Sequence, residues 1–363
     1  MIAFKWWFNK KILNVLVLYC LIYIFLYLMQ ARYAEATNSK TQIIDSLPLS
    51  QFNIVEASQN SENTIPSSFI SLGTKQNSYA LVVEKLKHTL SVYKSNEFGS
   101  YDLVKTYKAA TGKNHGDKTL IGDKKTPEGI YFITGKISGD KLPPKYGPGA
   151  LILDYPNVFD QRLSKTGYGI WIHGVDDDNR IGRAFDTDGC VALKNQDWLD
   201  LEKYILAFET PVVITDQLTL LDSSKELADK RNMILTMLNI WKISWELSDF
   251  QTYLNFYSNT FRSDNKNIKK WMKTKENLSF SRKGKINIEI LDPKILAYKD
   301  QIFISFLQNY SSPEKQDFGR KFLYLNKENN QYKIISEKWI EFKNNSNLVS
   351  SSVRQNDYEY NTK

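Results

Sequence analysis

The spacing of apolar residues divides the chain into a β-rich part and a mixed part. Apolar positions alternate over 79–83, and a second apolar group at 90–93 predicts the return strand of a hairpin. Further strand-like runs lie at 129–134, 150–153, 169–172 and 211–214. A helix is predicted over 198–208, with Asp197 as its N-cap. Residues 79–216 are therefore expected to form a mostly-β domain.

The pattern changes after about residue 221. Trp241, Trp245, Tyr253 and Tyr257 have helical spacing, whereas residues 286–290 and 302–306 have period two. Asn329-Asn330 predicts the turn of a later hairpin. Helices followed by an antiparallel meander indicate a separate α+β domain over 222–344, and residues 345–363 are a polar tail. The fold class predicted for the whole chain is α+β.

The N-terminus has the pattern of an export signal. Three lysines precede the 18 uncharged residues 12–29, and Ala34-Glu35-Ala36 has the form of a signal-peptidase site. Residues 1–36 are predicted to be a signal peptide or a signal anchor, and the sequence leaves cleavage and retention open. A buried helix of a soluble core is the alternative. Residues 37–78 are expected to be a linker or an N-terminal docking segment, through which a protein partner or a dimer is conceivable.

Composition limits the classes of function. The 363 residues are enough for about two domains plus appendages at ~150 residues per domain. Two cysteines and three histidines are too few for a disulfide framework or a Cys-rich zinc module. The net charge of +8 favours anionic partners. Export excludes intracellular nucleic acid, so the expected location is the periplasm or cell envelope, with membrane contact only if the N-terminal helix is retained.

Cys190 is the candidate nucleophile. It follows Thr187-Asp188-Gly189, in which the glycine allows a tight turn whose amides can converge on an oxyanion. A small buried apolar residue is the alternative reading of this cysteine. A catalytic thiol is expected to have a depressed pKa and to react quickly with thiol reagents near neutral pH.

Histidine is the usual base for such a thiol. His88 lies in a polar turn and His115 in a glycine-flanked loop, so neither has a strand to fix it. His173 ends an apolar run, and Cys190 follows it by seventeen residues, enough chain to return to the same strand end. His173 is therefore the preferred base.

Metal and cofactor sites are not expected. The acidic loop 175–180 resembles a calcium loop, but Ile181 would occupy a position that requires an oxygen ligand. A zinc site on His173 and Cys190 would lack two further ligands. Arg183 could bind a substrate carboxylate or form a salt bridge with the acidic loop.

His173-Gly174 and Thr187-Asp188-Gly189-Cys190-Val191 together resemble the signature of the YkuD-type L,D-transpeptidases, a histidine followed by Ser/Thr-x-Gly-Cys-hydrophobic. Residues 122–131, Gly-Asp-Lys-Lys-Thr-Pro-Glu-Gly-Ile-Tyr, are similar to another stretch of that family. The resemblance covers roughly residues 79–216. It implies a cysteine enzyme that attacks peptidoglycan stem peptides between the L-centre of a diamino acid and the terminal D-Ala.

The resemblance also implies roles for individual residues. Cys190 would be the nucleophile and His173 the general base, oriented by the carbonyl of Gly174. The amides of Asp188, Gly189 and Cys190 would stabilise the tetrahedral intermediate. Thr187 and Arg183 are candidates for substrate binding.

Two positions depart from the family pattern. Asp188 stands where the family often has histidine, and Ala192 stands where it often has arginine or asparagine. The change at Ala192 puts the handling of the acceptor in doubt.

The whole chain resembles the cell-shape-determining L,D-carboxypeptidases of helical bacteria, which join a YkuD-type domain to a nuclear-transport-factor-like domain. We therefore expect a carboxypeptidase that trims tetrapeptide stems to tripeptides. A transpeptidase that forms 3-3 cross-links or attaches a protein to peptidoglycan is the alternative. From another class, the alternative is a non-catalytic wall-binding scaffold.

Overall fold

The computed structural model describes residues 65–73, 78–96, 100–221, 224–280 and 284–342. For residues 224, 279 and 280 it describes the backbone alone. The predicted export segment 1–36 and the polar tail 345–363 lie outside these ranges. Within them, no helix combines the length and the apolar character needed to span a bilayer.

The described part contains eighteen strands and five α-helices. The strands are β1 (Ile65–Pro66), β2 (Phe69–Leu72), β3 (Tyr79–Glu84), β4 (Thr89–Ser95), β5 (Tyr101–Gly112), β6 (Gly129–Ser138), β7 (Gly149–Leu153), β8 (Trp171–His173), β9 (Phe185–Thr187), β10 (Val191–Leu193), β11 (Pro211–Thr215), β12 (Leu220–Leu221), β13 (Arg262–Ser263), β14 (Lys266–Asn267), β15 (Asn287–Tyr298), β16 (Gln301–Ser311), β17 (Gln316–Glu328) and β18 (Gln331–Glu341). The helices are α1 (Val158–Arg162), α2 (Asn195–Leu201), α3 (Ser224–Glu246), α4 (Phe250–Leu254) and α5 (Ile268–Phe280).

The first domain is built on a nine-stranded sheet that closes on itself. Its order is β10-β8-β7-β6-β11-β3-β4-β5-β9, and β10 also pairs with β5, so that eight of the strands form a ring. Alternate residues point into one apolar core, which includes Leu81, Tyr131, Ile172 and Trp198. The predicted strands are therefore present, because their apolar residues fill this core.

The predicted helix at 198–208 is wrong in extent. Helix α2 begins at Asn195 and ends at Leu201, and a 3-10 turn, Glu202–Tyr204, follows it. Lys194, not Asp197, is in the N-cap position. Tertiary contacts fix this start, because the Asn195 amide donates to Asp178 and the Trp198 indole donates to the Ile172 carbonyl at 3.0 Å.

The second domain is a curved antiparallel sheet with helices α3–α5, as the α+β pattern predicts. The sheet order is β18-β17-β16-β15-β2. Asn329 and Asn330 both have positive φ at the turn between β17 and β18, which confirms the predicted hairpin. The predicted α+β fold class is confirmed.

Strand β2 joins the sheet of the second domain although it precedes the first domain in sequence. It pairs antiparallel with β15, with Leu72 opposite Lys294. The first domain is thus inserted between one edge strand of the C-terminal sheet and the remaining strands. Strands β1 and β12 pair at the base of this insertion, with Ile65 opposite Leu221.

Aromatic packing and buried polar contacts connect the two domains. The rings of Phe132 and Phe303 are 4.7 Å apart, and those of Phe159 and Tyr324 are 5.3 Å apart. Across the same boundary, Arg320 pairs with Glu209 at 2.6 Å. Since apolar burial and a partly buried ion pair both cross the boundary, the domains share a common core region.

Candidate active site

His173 and Cys190 lie at the ends of two neighbouring parallel strands. Strand β8 pairs with β10 so that Ile172 is opposite Val191 and His173 is opposite Ala192. Register partners point to the same face, and every second residue of a strand returns to that face. Cys190 immediately precedes β10, two residues before Ala192, so the alternation of β10, continued by one residue, predicts that its side chain lies on the face of the imidazole.

The imidazole of His173 is held in one tautomer. Its Nδ1 lies 2.5 Å from the carbonyl oxygen of Gly174, which can only accept, so Nδ1 carries the proton. This leaves the lone pair on Nε2 free to act as a base. Burial lowers the pKa of His173 to about 4, although the Gly174 carbonyl acts in the opposite direction. The ring is therefore neutral at pH 7.

Tyr146 forms a wall beside the histidine. Its ring lies 5.0 Å from the His173 ring and 5.1 Å from the Trp171 ring. It belongs to the proline-rich loop between β6 and β7, which contains the 3-10 turns Gly139–Lys141 and Pro144–Tyr146. Tyr146 therefore contacts Trp171 and His173, the two residues of β8 whose side chains lie on the face of the candidate site.

The Cys190 thiol is protonated in the resting structure. Its Sγ donates to the carbonyl of Gly169 at 3.4 Å. Burial raises the thiol pKa to about 11, while the backbone of Trp171 and the charge of Lys145 partly oppose this rise. The expectation of a depressed pKa is therefore wrong for this state, because desolvation disfavours the thiolate more than the neighbouring donors stabilise it.

The turn before Cys190 uses the Thr187 hydroxyl as a bridge. This hydroxyl donates to the Cys190 carbonyl at 2.7 Å and accepts from the Gly189 amide at 3.1 Å. Gly189 has φ +132°, and a Cβ at this position would lie 2.8 Å from the Lys125 carbonyl oxygen. Glycine is therefore required by both conformation and space.

This bridge corrects two predicted roles. Because the Gly189 amide already donates to Thr187, it does not point at an oxyanion in this structure. Because the Thr187 side chain is buried and occupied by backbone groups, it does not present a hydroxyl to substrate. The oxyanion role of the Asp188 and Cys190 amides stays a prediction.

The charged residues near the turn have different surroundings. Asp188 is exposed and pairs with Lys113 at 3.0 Å. The Arg183 side chain is 68% exposed and lies 3.8 Å from Asp186. Arg180, not Arg183, makes the salt bridge to the acidic loop, with Asp176 at 2.7 Å. A substrate role for Arg183 therefore stays a prediction that its exposure allows.

The other two histidines pack together away from the β8–β10 strand ends. The rings of His88 and His115 lie 4.5 and 4.3 Å from the ring of Phe185. Burial lowers the pKa of His88, and the charge of His115 contributes to this shift. Neither ring lies on β8 or β10, so they form a separate cluster.

Sequence reasoning did not single out two residues that support the site. These are Thr126, whose hydroxyl lies 3.4 Å from the Cys190 carbonyl, and Asn195, whose Oδ1 accepts from the Val175 amide at 2.8 Å. Tyr146 belongs to the loop 139–149, whose prolines between flanking glycines predict a lid or wall of the substrate groove, and the sequence signal for Thr126 is its position within the stretch 122–131. Across the described ranges, no group of three or more His, Cys, Asp or Glu side chains has metal-binding geometry.

Comparisons with known proteins agree with this architecture. A model of the L,D-transpeptidase catalytic domain (YkuD) matches residues 78–214, and a model of the Cds6 C-terminal NTF2-like domain matches residues 233–338. The fold and the site therefore define a YkuD-type catalytic domain joined to an NTF2-like domain.

Two solved structures are similar over most of the chain. Bd1075 from Bdellovibrio bacteriovorus is 34% identical, with 77% of this chain and 99% of that chain covered and a TM-score of 0.67. The helical cell shape determining protein Pgp2 from Campylobacter jejuni is 31% identical, with 75% and 96% covered and a TM-score of 0.59. No curated protein matches the chain. The chain belongs to the YkuD family of L,D-transpeptidases and carboxypeptidases, which modify peptidoglycan in the cell envelope.

Proposed function

We propose that the protein is an envelope L,D-carboxypeptidase that removes the terminal D-Ala from peptidoglycan tetrapeptide stems, with Cys190 as nucleophile and His173 as general base. The supporting observation is the parallel pairing of β8 with β10, which sets His173 opposite Ala192, two residues after Cys190. The tautomer of His173 supports the assignment further, because Nε2 is left without a proton.

The mechanism begins from a neutral thiol and a neutral imidazole. Rotation about the Cα–Cβ bond of Cys190 exchanges the Gly169 carbonyl for Nε2 of His173 as the partner of the thiol. Sulfur then attacks the carbonyl carbon at the L-centre of the diamino acid while Nε2 takes the thiol proton. The carbonyl oxygen becomes an oxyanion, for which the amides of Asp188 and Cys190 are the proposed donors.

Collapse of this intermediate breaks the C–N bond. The proton on Nε2 passes to the leaving nitrogen, D-Ala departs as a free amine, and a thioester to Cys190 remains. Water then attacks the thioester, His173 takes a proton from the water, and the thiol is regenerated with release of the tripeptide carboxylate. Because burial raises the pKa of the thiol, the proposed step transfers the proton during the attack rather than before it.

Hydrolysis is favoured over cross-linking because of the surroundings of Ala192. Its side chain is fully buried in a small cluster with Ala110, Val175 and Ile181. No polar group stands at this position, where family members often have arginine or asparagine. An acceptor amine would therefore lack one polar side chain to bind it, whereas water needs no such binding group.

The proposed location and cellular role rest on the sequence and on the relatives. The segment 1–36 supports export, with either cleavage or retention as an anchor. The similarity to Pgp2, a helical cell shape determining protein, supports a role in cell shape through trimming of the wall.

Purified tetrapeptide muropeptides test the proposal. Mass spectrometry should find tripeptide and free D-Ala with the wild-type protein, and no conversion with Cys190→Ala of unchanged thermal stability. Dimers joined through two diamino acids would favour the transpeptidase instead. Binding to sacculi without turnover in either protein would favour the wall-binding scaffold.

A further inference from the structure

The backbone of Cys190 is tied to a buried lysine of the same domain. The Thr126 hydroxyl accepts from the Gly112 amide at 2.8 Å and lies 3.4 Å from the Cys190 carbonyl, to which it donates. The carbonyl of Thr126 accepts from Nζ of Lys85 at 3.4 Å. The Lys85 ammonium also donates to the Gly116 carbonyl at 2.8 Å. Thr126 therefore contacts Lys85 through its carbonyl and the backbone of Cys190 through its hydroxyl.

The same lysine is connected to the C-terminal domain through Glu128. Lys85 Nζ lies 2.7 Å from Oε1 of Glu128, and the Tyr298 hydroxyl donates to Oε2 at 2.8 Å. Tyr298 is the last residue of β15, in the NTF2-like domain. One carboxylate therefore accepts from a lysine of the catalytic domain and from a tyrosine of the other domain.

The charges along this path are buried. The side chains of Lys85 and Glu128 are only 7% and 10% exposed. Burial by itself would raise the pKa of Glu128, but the hydrogen bonds from Lys85 and Tyr298 and the nearby positive charges hold it below its usual value. The ammonium of Lys299, whose side chain is 69% exposed, also lies 3.8 Å from Oε2 of Glu128. Loss of the Tyr298 hydroxyl removes the shorter contact to this largely buried oxygen, which favours a shift of Glu128 towards its remaining partners.

The backbone can transmit such a movement to Cys190. Glu128 and Thr126 are separated by Pro127 alone, whose ring fixes φ. Thr126 and Pro127 are both buried. A displacement of Glu128 is therefore passed to the Thr126 hydroxyl rather than absorbed by a flexible residue.

We propose that Tyr298 is a positioning residue for Cys190 and acts through Glu128, Lys85 and Thr126. Through these contacts the NTF2-like domain fixes the position of the turn 187–190 relative to His173. The inference rests on the proposed role of Cys190 as nucleophile. The C-terminal domain would then contribute to the reaction by positioning Cys190, whether or not that domain binds a ligand.

The Arg162 contacts provide a matched control at the same domain boundary. Its guanidinium donates to the carbonyls of Thr260 and Ile335, both at 2.7 Å, and none of these three residues belongs to the path. Arg162→Ala weakens the attachment of the domains without touching Glu128. Tyr332→Phe removes a tyrosine hydroxyl elsewhere in the C-terminal sheet and controls for the chemical change itself.

The experiment compares full-length wild type, Tyr298→Phe and the two controls. The readouts are kcat and KM on tetrapeptide muropeptides and the pH-dependent rate of Cys190 alkylation by iodoacetamide, followed by mass spectrometry of the Cys190 peptide. Tyr298→Phe should lower kcat about tenfold with KM unchanged and shift the alkylation profile, since small displacements of a nucleophile are costly. Both controls should keep the wild-type values.

A double mutant tests the path itself. Thr126→Val, which removes the hydroxyl next to Cys190, should lower kcat, and Thr126→Ser should restore it. The double variant Tyr298→Phe/Thr126→Val should be no slower than Thr126→Val alone, because both changes interrupt one path. Additive losses in kcat would overturn the proposal.

Two further outcomes would also overturn it. One is a lower melting temperature of Tyr298→Phe with unchanged kcat and alkylation, which would indicate a structural role only. The other is an equal loss of kcat in Arg162→Ala. Alkylation needs no substrate, so it tests the path even if wild type fails to cleave tetrapeptides, an outcome that would reject the proposed function alone.

Discussion

Ala192 is the register partner of His173 on the neighbouring parallel strands β10 and β8. By strand alternation, this pairing predicts that Cys190, two residues earlier, points to the imidazole side of the sheet. It also places a fully buried methyl group beside the proposed base, where family members often carry a polar residue. One pairing thus bears on both the proposed chemistry and the choice of acceptor.

The first prediction concerns the pH dependence of turnover. His173 must be neutral to accept a proton, and burial places its pKa at about 4, below the ordinary 6.5. We expect kcat/KM to fall as the pH decreases through about 4 and to stay high toward neutral pH. A pH profile on tetrapeptide muropeptides measures this. An acid limb near 6.5 would contradict the burial of His173 in the working enzyme.

The second prediction concerns Gly189. Substitution by alanine forces a Cβ to 2.8 Å from the Lys125 carbonyl at a φ of +132°. We expect Gly189→Ala to lower the free energy of unfolding by about 2–4 kcal/mol and to reduce kcat at least ~100-fold. Chemical denaturation and the muropeptide assay provide the two values. Gly182→Ala is the control, because its Cβ meets open space, and it should change neither.

The third prediction separates the hydroxyl of Thr187 from its shape. Thr187→Val leaves the Gly189 amide and the Cys190 carbonyl without this partner, which costs about 2 kcal/mol of stability and displaces Cys190, the proposed nucleophile. We expect kcat to fall about 10-fold or more, with little change in KM. Thr187→Ser should stay within about twofold of wild type. A Val variant as active as wild type would show that the turn does not depend on this bridge.

The fourth prediction concerns Lys145, on the loop that carries Tyr146. The ammonium of Lys145 lies 4.9 Å from the centroid of the Tyr146 ring, which contacts His173, and its charge lowers the pKa of both Cys190 and His173. We expect it to attract a substrate carboxylate, and Lys145→Gln to raise KM about fivefold with kcat nearly unchanged. Added salt should reduce this difference. Lys141→Gln, in the other 3-10 turn of the loop, is the comparison; an equal rise in KM there would mean that only net charge matters.

Much of the organisation could be predicted from the sequence. Alternation and apolar runs placed many strands of both domains, because side-chain burial on a sheet has a period of two. Strands β2, β5, β9 and β10 were not predicted. The histidine at the end of an apolar run and the cysteine after a glycine turn were identified locally, since each depends on its immediate neighbours. The extent of α2 was missed, because contacts from Asp178 and Ile172 rather than local capping set its start.

The sequence by itself determined the α+β class, the two-domain order and the candidate pair His173 and Cys190. Only the tertiary structure decided the register of β8 against β10, the raised thiol pKa, and the membership of β2 in the C-terminal sheet. It also decided the contact of Tyr298 with Glu128, 170 positions apart. Local patterns report burial and turn geometry, whereas register, desolvation and long-range hydrogen bonds arise only when distant segments pack together.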